Sequence, residues 1–283
     1  MKPAQNQASF DLKQGGDKQL ITAFLPEAGN HSHAANSSGN PCLLSVLANA
    51  PVQPAPSVAA LTRCLSWPAK YKNQAVIAVS CYTPDGNLIQ CCGHGLLAAA
   101  YSWQQRLKCS EISLLMNHSL VPSWRQQEMT WLRFERLPTA TCAVPDWLVA
   151  VFPNQPQPIA AAVCGEEQGY LILQWPDDLH LKSLSEPLAC LAELSQRALI
   201  CTAAHPSVGD DAIQLRYFAP QYGVPEDTAT GSALRVLAEY WSPRFTRLTA
   251  QQCSPAGGLL LSKWTPQHID VGGRCSILKA GQA

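Results

Sequence analysis

Two short segments carry the residues whose types and spacing could support acid–base chemistry. The octapeptide from Glu226 to Ala233 places two carboxylates and several small polar residues directly before an apolar helix. The segment from Cys91 to Gly95 places two thiols and an imidazole before Leu96 and an alanine-rich stretch. Two junctions of the same design indicate one shared site.

The start of a helix offers unpaired backbone N–H groups and a partial positive charge, and it therefore binds carboxylates and phosphates. Gly93, Gly95 and Gly231 would let a ligand approach the backbone closely, and Thr230 and Ser232 are possible helix caps. If the two halves of the chain face each other, both helix starts would converge on one anionic ligand.

The positions of His94 and Asp227 also predict their protonation. We expect the helix dipole to keep His94 neutral and Asp227 ionised, so that both could transfer a proton. Plainer interpretations exist: Asp227 or Ser232 as a helix cap, His94 as a structural histidine and Cys92 as a packing residue. Their joint occurrence at two equivalent junctions favours an active site.

Composition limits the classes of partner. With 283 residues, 47% hydrophobic and 14% charged, the chain can bury a large core, and its length favours two domains. A net charge of zero gives no electrostatic footprint for nucleic acid or an anionic membrane. We find no apolar leader and no apolar run of the roughly 18 residues that span a bilayer. We therefore expect a cytoplasmic protein that binds a small molecule.

The chain has 12 cysteines, but they are scattered and form no Cys-x-x-Cys pair. We interpret most of them as buried free thiols. A metal site built on Cys91, Cys92 and His94 would need a second pair of ligands at suitable spacing, and the sequence offers none. The sequence therefore predicts no metal site.

Hydrophobic periodicity predicts two buried central helices, at residues 95–107 and 231–241, and a surface helix near 184–197. Pro243 should end the second central helix. Strands are predicted at residues 20–25, 42–47, 76–82, 88–91, 112–116, 131–135, 149–152, 170–175, 199–203, 213–219, 248–253, 258–262, 268–271 and 274–278.

This pattern predicts an α+β protein of two pseudosymmetric domains, each a strongly curved, barrel-like β-sheet around a central helix. The expected domains are residues 1–138 and 145–283, joined by a crossover linker at 139–144 where prolines interrupt the pattern. This boundary leaves open whether the last strands pack back on the first domain. The site should lie in the cleft between the two domains.

Several motifs together resemble one known family. They are Gly39-Asn40-Pro41, Tyr82-Thr83-Pro84 followed by Cys92-Gly93-His94, the stretches at residues 216–220 and 223–233, and the Gln-x-Ser and Gly-Gly elements within 252–258. On these motifs the chain resembles the phenazine-biosynthesis PhzF-like isomerases, within the diaminopimelate epimerase fold superfamily, over most of its length. Thr228 stands where the signature of that family has proline.

The resemblance implies a cofactor-independent site between two pseudosymmetric domains, frequent homodimerisation, and isomerisation of a small carboxylate by a proton shift. It implies that His94, Asp227 and Ser232 assist catalysis. We expect the substrate to be lined by Cys92, Gly93, Gly95, Thr230, Gly231 and Trp67.

The main departure from the family lies at its principal acid–base glutamate, which follows a Leu-Ser pair. Here Leu65-Ser66 is followed by Trp67, whose indole cannot exchange a proton at neutral pH. Three interpretations stay open: an isomerase with Asp227 as base and His94 as acid, a catalytically silent relative whose cleft Trp67 fills, or a one-base epimerase or dehydratase that uses Cys92.

Two smaller departures concern other parts of the chain. Ala256 replaces the arginine that commonly precedes the Gly-Gly pair, a change that could alter dimer or substrate contacts. The stretch at residues 27–40, with His31 and His33, is longer than the usual turn of the family, and we expect a surface loop there.

Overall fold

The computed structural model describes residues 17–26, 38–51 and 61–278; most of the long loop expected at 27–40 lies outside them. The strands are β1 Asp17–Leu25, β2 Asn40–Val46, β3 Thr62–Tyr71, β4 Gln74–Tyr82, β5 Leu88–Ile89, β6 Glu111–Met116, β7 Ser119–Gln126, β8 Met129–Glu135, β9 Thr139–Cys142, β10 Ala160–Cys164, β11 Tyr170–Gln174, β12 Ala198–Ala204, β13 Ala212–Phe218, β14 Arg247–Gln252, β15 Gly258–Trp264 and β16 His268–Leu278. The helices are α1 Gly93–Leu107, α2 Leu148–Val151, α3 Leu191–Leu194 and α4 Gly231–Trp241, with 3-10 turns at Leu181–Ser183 and Pro220–Tyr222.

One continuous sheet forms both halves of the molecule. Its first part is a closed ring in the order β1-β2-β3-β4-β6-β7-β8-β16, because β16 pairs with both β8 and β1. From β16 the sheet continues through β15, β14, β13, β12, β11 and β10 to the edge strand β9. The last strand of the chain therefore completes the barrel of the first half.

The two halves repeat the same sequence of strand pairings. In the first half β1–β2 and β3–β4 are antiparallel, whereas β2–β3 and β4–β6 are parallel. In the second half β10–β11 and β12–β13 are antiparallel, whereas β11–β12 and β13–β14 are parallel. A long helix connects the last parallel pair each time, α1 between β4 and β6 and α4 between β13 and β14. The predicted pseudosymmetric α+β fold is confirmed.

The two central helices also pack alike. Each carries a tryptophan ten positions after its first glycine, Trp103 in α1 and Trp241 in α4. Trp103 Nε1 donates to Ser66 Oγ on β3 at 2.9 Å, and Trp241 Nε1 donates to Thr202 Oγ1 on β12 at 3.1 Å. A buried indole needs such a partner for its N–H. These bonds fix the rotation of each helix and therefore the direction of its first turn.

Two predicted elements are wrong, and the strands β3, β7, β9 and β10 were not predicted. Residues 184–197 form only the single turn α3, because Pro187 cannot donate a helical hydrogen bond. Residues 149–152 form part of the one-turn helix α2 and no strand. The long strand β3 was absent from the prediction, because its first residues are buried on both faces and show no alternation.

The segment at residues 139–144, expected as a linker, contains the edge strand β9, which pairs with β10. The domain limits on either side of it stay a prediction. No helix within residues 17–26, 38–51 and 61–278 is long and apolar enough to cross a membrane.

Candidate active site

The starts of α1 and α4 touch each other at two glycines. A Cβ atom on Gly93 would lie 2.7 Å from Gly231 Cα, and one on Gly231 would lie 3.1 Å from Gly93 Cα. Gly93 and Gly231 therefore let the two helix backbones approach each other. This role is additional to the predicted one of letting a ligand approach the backbone. Gly95 packs against the sulphur atoms of Cys81 and Cys92 and is not among the described residues that line the cleft, so its contact with a ligand stays a prediction.

A cleft of about 780 Å³ opens at this contact between the halves. Of the predicted site residues, Cys92, Gly93, His94, Asp227, Thr230, Gly231 and Ser232 all line it. Neither helix receives a side-chain cap among the described residues, since Cys92 and Thr230 occupy the cap positions without such a bond. Two uncapped helix starts with their partial positive charge thus face one cleft.

Asp227 is held by three hydrogen-bond donors. Asn40 Nδ2 and the backbone N–H of Thr228 each donate to Oδ1 at 2.9 Å, and Thr230 Oγ1 donates to Oδ2 at 2.7 Å. An ionised carboxylate accepts such a set of donors. None of the three donors is an N–H group of α4, so the interpretation of Asp227 as a helix cap is not supported.

The loop that carries Asp227 is braced from β14 and the turn after it. Gln252 Oε1 accepts the N–H of Thr230 at 2.7 Å, and Gln252 Nε2 donates to the carbonyl oxygen of Asp227 at 2.7 Å. Ser254 Oγ donates to the carbonyl oxygen of Thr228 at 2.7 Å. The side chains of Gln252 and Ser254 therefore hold the loop that carries Asp227 in one conformation.

The neighbouring carboxylate, Glu226, has a different environment. Arg216 donates to both of its oxygens, at 2.7 and 2.8 Å, and both side chains are buried. Arg216 also donates to the carbonyl oxygen of Leu184 at 2.7 Å. Among the described residues that line the cleft, Asp227 is the one carboxylate without an arginine partner.

His94 is buried at the start of α1. Its Nδ1 and Nε2 lie 3.7 and 3.9 Å from Cys92 Sγ. Burial lowers the pKa of His94, but the contact with Cys92 and the charge of Asp227 outweigh burial and raise the pKa to about 9. The expectation of a neutral imidazole is therefore wrong, because it neglected Cys92 and the opposing carboxylate. At neutral pH the His94 imidazole carries a proton that it can donate.

The surroundings of Cys92 oppose ionisation of its thiol. A hydrogen bond to Cys81 and then burial raise the pKa of Cys92 well above the usual value. A general base must be deprotonated at the working pH, so this environment is unsuited to a thiol base. Among the described residues, no group of three or more histidine, cysteine or acidic side chains is placed to hold a metal ion.

Ser232 faces the cleft beside two tyrosines that sequence reasoning missed. The Ser232 hydroxyl forms a hydrogen bond with Tyr170, and burial raises the pKa of Tyr170 to about 12. The rings of Tyr170 and Tyr217 lie 6.5 Å apart, and burial also raises the pKa of Tyr217. These phenols stay protonated at neutral pH and offer O–H donors to a ligand. The signal that could have indicated them is their position, since Tyr170 begins β11 and Tyr217 lies one residue before the end of β13.

Trp67 does not reach the cleft. It lies within β3 opposite Ala78, whereas Thr62, at the beginning of the same strand, lines the cleft. Five residues of strand span about 16 Å, and side chains five positions apart point to opposite faces. The structure therefore places Trp67 outside the cleft. Strand β3 was not predicted, so the strand register of the segment before Tyr82 was not known when Trp67 was assigned to the cleft.

A family model for phenazine biosynthesis-like proteins matches residues 70–258. An uncharacterized isomerase of Pseudomonas aeruginosa is 34% identical over 122 residues, which are 42% of this chain and 45% of that protein. An uncharacterized isomerase of Vibrio cholerae is 30% identical over 197 residues, or 66% of this chain and 64% of that protein. The crystal structure of a phenazine biosynthesis protein of the PhzF family from Enterococcus faecalis shares the fold, with a TM-score of 0.73 and 21% identity over 92% of this chain and 96% of that chain.

Proposed function

Because the chain belongs to the phenazine biosynthesis-like (PhzF-like) family, we propose that it isomerises a small carboxylate by moving a proton between two carbon atoms in its cleft, without a cofactor. The observation that carries this proposal is the pair of oppositely charged groups at the two helix starts. Asp227 is set among donors that suit a carboxylate, and the raised pKa of His94 supports an imidazolium.

In the proposed reaction Asp227 acts as the base and His94 as the acid. Asp227 removes a proton from one carbon of the substrate, and the electrons of that C–H bond shift along the unsaturated system. His94 then donates its proton to another carbon of the same system. Return of the proton from Asp227 to His94 restores both groups for the next turnover.

The substrate carboxylate is proposed to bind at the two uncapped helix starts, where backbone N–H groups and the helix dipoles favour an anion. No lysine or arginine is among the described residues that line the cleft, so these helix starts and His94 supply its positive potential. The hydroxyl groups of Ser232 and Tyr170 would orient the substrate beside Asp227.

The structure bears differently on the two other interpretations of the sequence. The silent relative rested on a Trp67 that replaces the glutamate of the family and fills the cleft. Trp67 lies outside the cleft, and Glu226 and Asp227 are the carboxylates among the described residues that line it. The thiol-base epimerase depended on an ionisable Cys92, and the Cys92 thiol is buried and hydrogen-bonded to Cys81. Homodimerisation stays a prediction.

The test is deuterium uptake from D2O, followed by NMR, with a panel of small unsaturated and amino-substituted carboxylates. We expect the wild-type protein to exchange a carbon-bound proton of at least one compound, and Asp227→Asn to abolish this exchange while it keeps the fold. Compounds that bind without exchange in the wild-type protein would contradict the proposal and indicate a binding protein.

A further inference from the structure

Four of the cysteines form a connected row inside the first barrel. Cys42, Cys64 and Cys81 lie on β2, β3 and β4, and Cys92 directly precedes α1; all four are buried. Cys64 and Cys81 are directly opposite each other in the antiparallel register of β3 and β4. Gly95 leaves space for the end of the row, since a Cβ atom there would collide with the sulphur atoms of Cys81 and Cys92.

Hydrogen bonds link the neighbouring thiols of this row. Side-chain hydrogen bonds connect Cys92 with Cys81, Cys81 with Cys64, and Cys64 with Cys42. Each thiol has one proton to donate. The Cys64 thiol donates to the carbonyl oxygen of Gly95 at 3.6 Å. If Cys92 donates to Cys81 and Cys81 donates to Cys64, the sulphur of Cys92 keeps its lone pairs free on the side of His94. Bonds in such a chain polarise and strengthen one another.

At its Cys92 end, the row of thiols contacts His94, the proposed acid in the cleft. Cys92 Sγ lies 3.7 Å from His94 Nδ1, and it is the one hydrogen-bond partner of the His94 ring among the described residues. Sulphur is a weak acceptor with a long contact distance, so it can orient an imidazole N–H and leave the ring able to give up a proton.

We propose that Cys92 is a positioning residue, which orients the imidazole of His94 for proton donation and is itself held by Cys81 at the end of the thiol row. This inference rests on the proposed function, because it assigns His94 the role of acid. It gives Cys92 a role that differs from the packing, substrate-binding and thiol-base roles considered for it from the sequence.

Serine should be a poor replacement for Cys92. The C–O bond is shorter than the C–S bond, so the oxygen of Cys92→Ser would lie farther from His94 than the sulphur does. Oxygen also needs a shorter contact than sulphur, because hydrogen bonds to nitrogen weaken beyond about 3.2 Å. Cys92→Ser and Cys92→Ala should therefore behave alike.

The experiment compares Cys92→Ala, Cys92→Ser and Cys81→Ala with Cys201→Ala. Cys201 is a matched control because it is buried in the second half, on β12, which pairs with β11 and β13 and with no strand of the thiol row. For the panel compound that exchanges fastest, we expect kcat to fall about tenfold in both Cys92 variants with little change in KM, the size of effect typical of one lost hydrogen bond. Cys81→Ala should lie between these variants and the wild type, and Cys201→Ala should match the wild type.

The pH dependence separates positioning from packing. We expect the alkaline limb of the kcat profile, and the titration of the His94 ring followed by NMR, to move to lower pH in the Cys92 variants, because the contact with Cys92 raises the pKa of His94. If the Cys92 variants show the same kcat pH profile and the same His94 titration as the wild type, the inference is overturned, even where the variants are less stable.

The NMR titration also separates this inference from the proposed function. If no panel compound exchanges in the wild-type protein, the proposed function fails. The titration of His94 in the wild type and the Cys92 variants still decides whether the thiol orients the ring.

Discussion

The two helix starts share one geometry and differ in what surrounds their reactive groups. At the start of α4, Asp227 is held by amide, hydroxyl and backbone donors. At the start of α1, His94 is buried at the edge of the cleft and contacts a thiol. A repeated fold thus supplies two equivalent positions, and the polarity of each surrounding supplies the chemical difference.

This difference suits opposite protonation. Donors around a carboxylate suit its charged form, whereas the buried imidazole of His94 gains a proton through its contact with Cys92 and, in smaller part, through the charge of Asp227 across the cleft. The acid and the base therefore depend on each other, and removing one should change the other. The predictions below test this dependence and the contrast between the two surroundings.

The largest effect is expected from Asp227→Asn. Loss of a general base typically lowers the rate about 100- to 10,000-fold, and the asparagine keeps the shape of the side chain. We expect deuterium exchange to fall by this factor with an unchanged circular dichroism spectrum. Unfolding of this variant would instead indicate that Asp227 is structural.

The adjacent carboxylate should show the opposite behaviour. Glu226→Gln leaves the buried guanidinium of Arg216 without its charged partner, which typically costs about 3–5 kcal/mol. We expect a large decrease in the free energy of unfolding, measured with denaturant. Equal effects of the two substitutions on activity and stability would remove the contrast between Glu226 and Asp227.

Gly93→Ala tests the contact between the helix starts. The new Cβ would lie 2.7 Å from Gly231 Cα, so the helices must separate. Overpacking of this kind typically costs about 1–3 kcal/mol in the free energy of unfolding. Gly209→Ala is the control, because a Cβ there meets ordinary contacts at 3.7 Å. Equal denaturant midpoints for the two variants would contradict the close packing.

Activity should decline at alkaline pH. Because the pKa of His94 is raised to about 9, the acid form is present at neutral pH and is lost as pH rises through 9, with about a tenfold loss of rate per pH unit beyond it. The same shift contributes stability that is fully present below the ordinary value of 6.5 and is lost as pH rises through about 9. A rate that stays constant up to pH 10.5, measured by exchange with the best compound, would exclude His94 as the acid.

The smallest effect is expected from Trp67→Phe. Trp67 lies on β3 away from the cleft, so the exchange rate should stay at the wild-type value and only stability should change slightly. A large loss of deuterium exchange in this folded variant would indicate that Trp67 takes part in the site.

Sequence reasoning found the central helices and the reactive residues because these carry local signals. Glycines, an apolar periodicity and the flanking His94 and Asp227 all lie within a few residues of one another. It did not find the donors around Asp227, because Asn40 lies 187 positions away and is brought there by the fold. It also misplaced Trp67 and the protonation of His94, since both depend on strand register and on a charge from the other half.

The most direct test of the account is an NMR titration of the His94 ring in the wild-type protein and in Asp227→Asn, without any substrate. We expect an apparent pKa near 9 in the wild type and a lower value in the variant, because the charge of Asp227 helps to raise the pKa of His94. The same value in both proteins, or a wild-type value at or below the ordinary 6.5, would contradict the coupling of acid and base across the cleft.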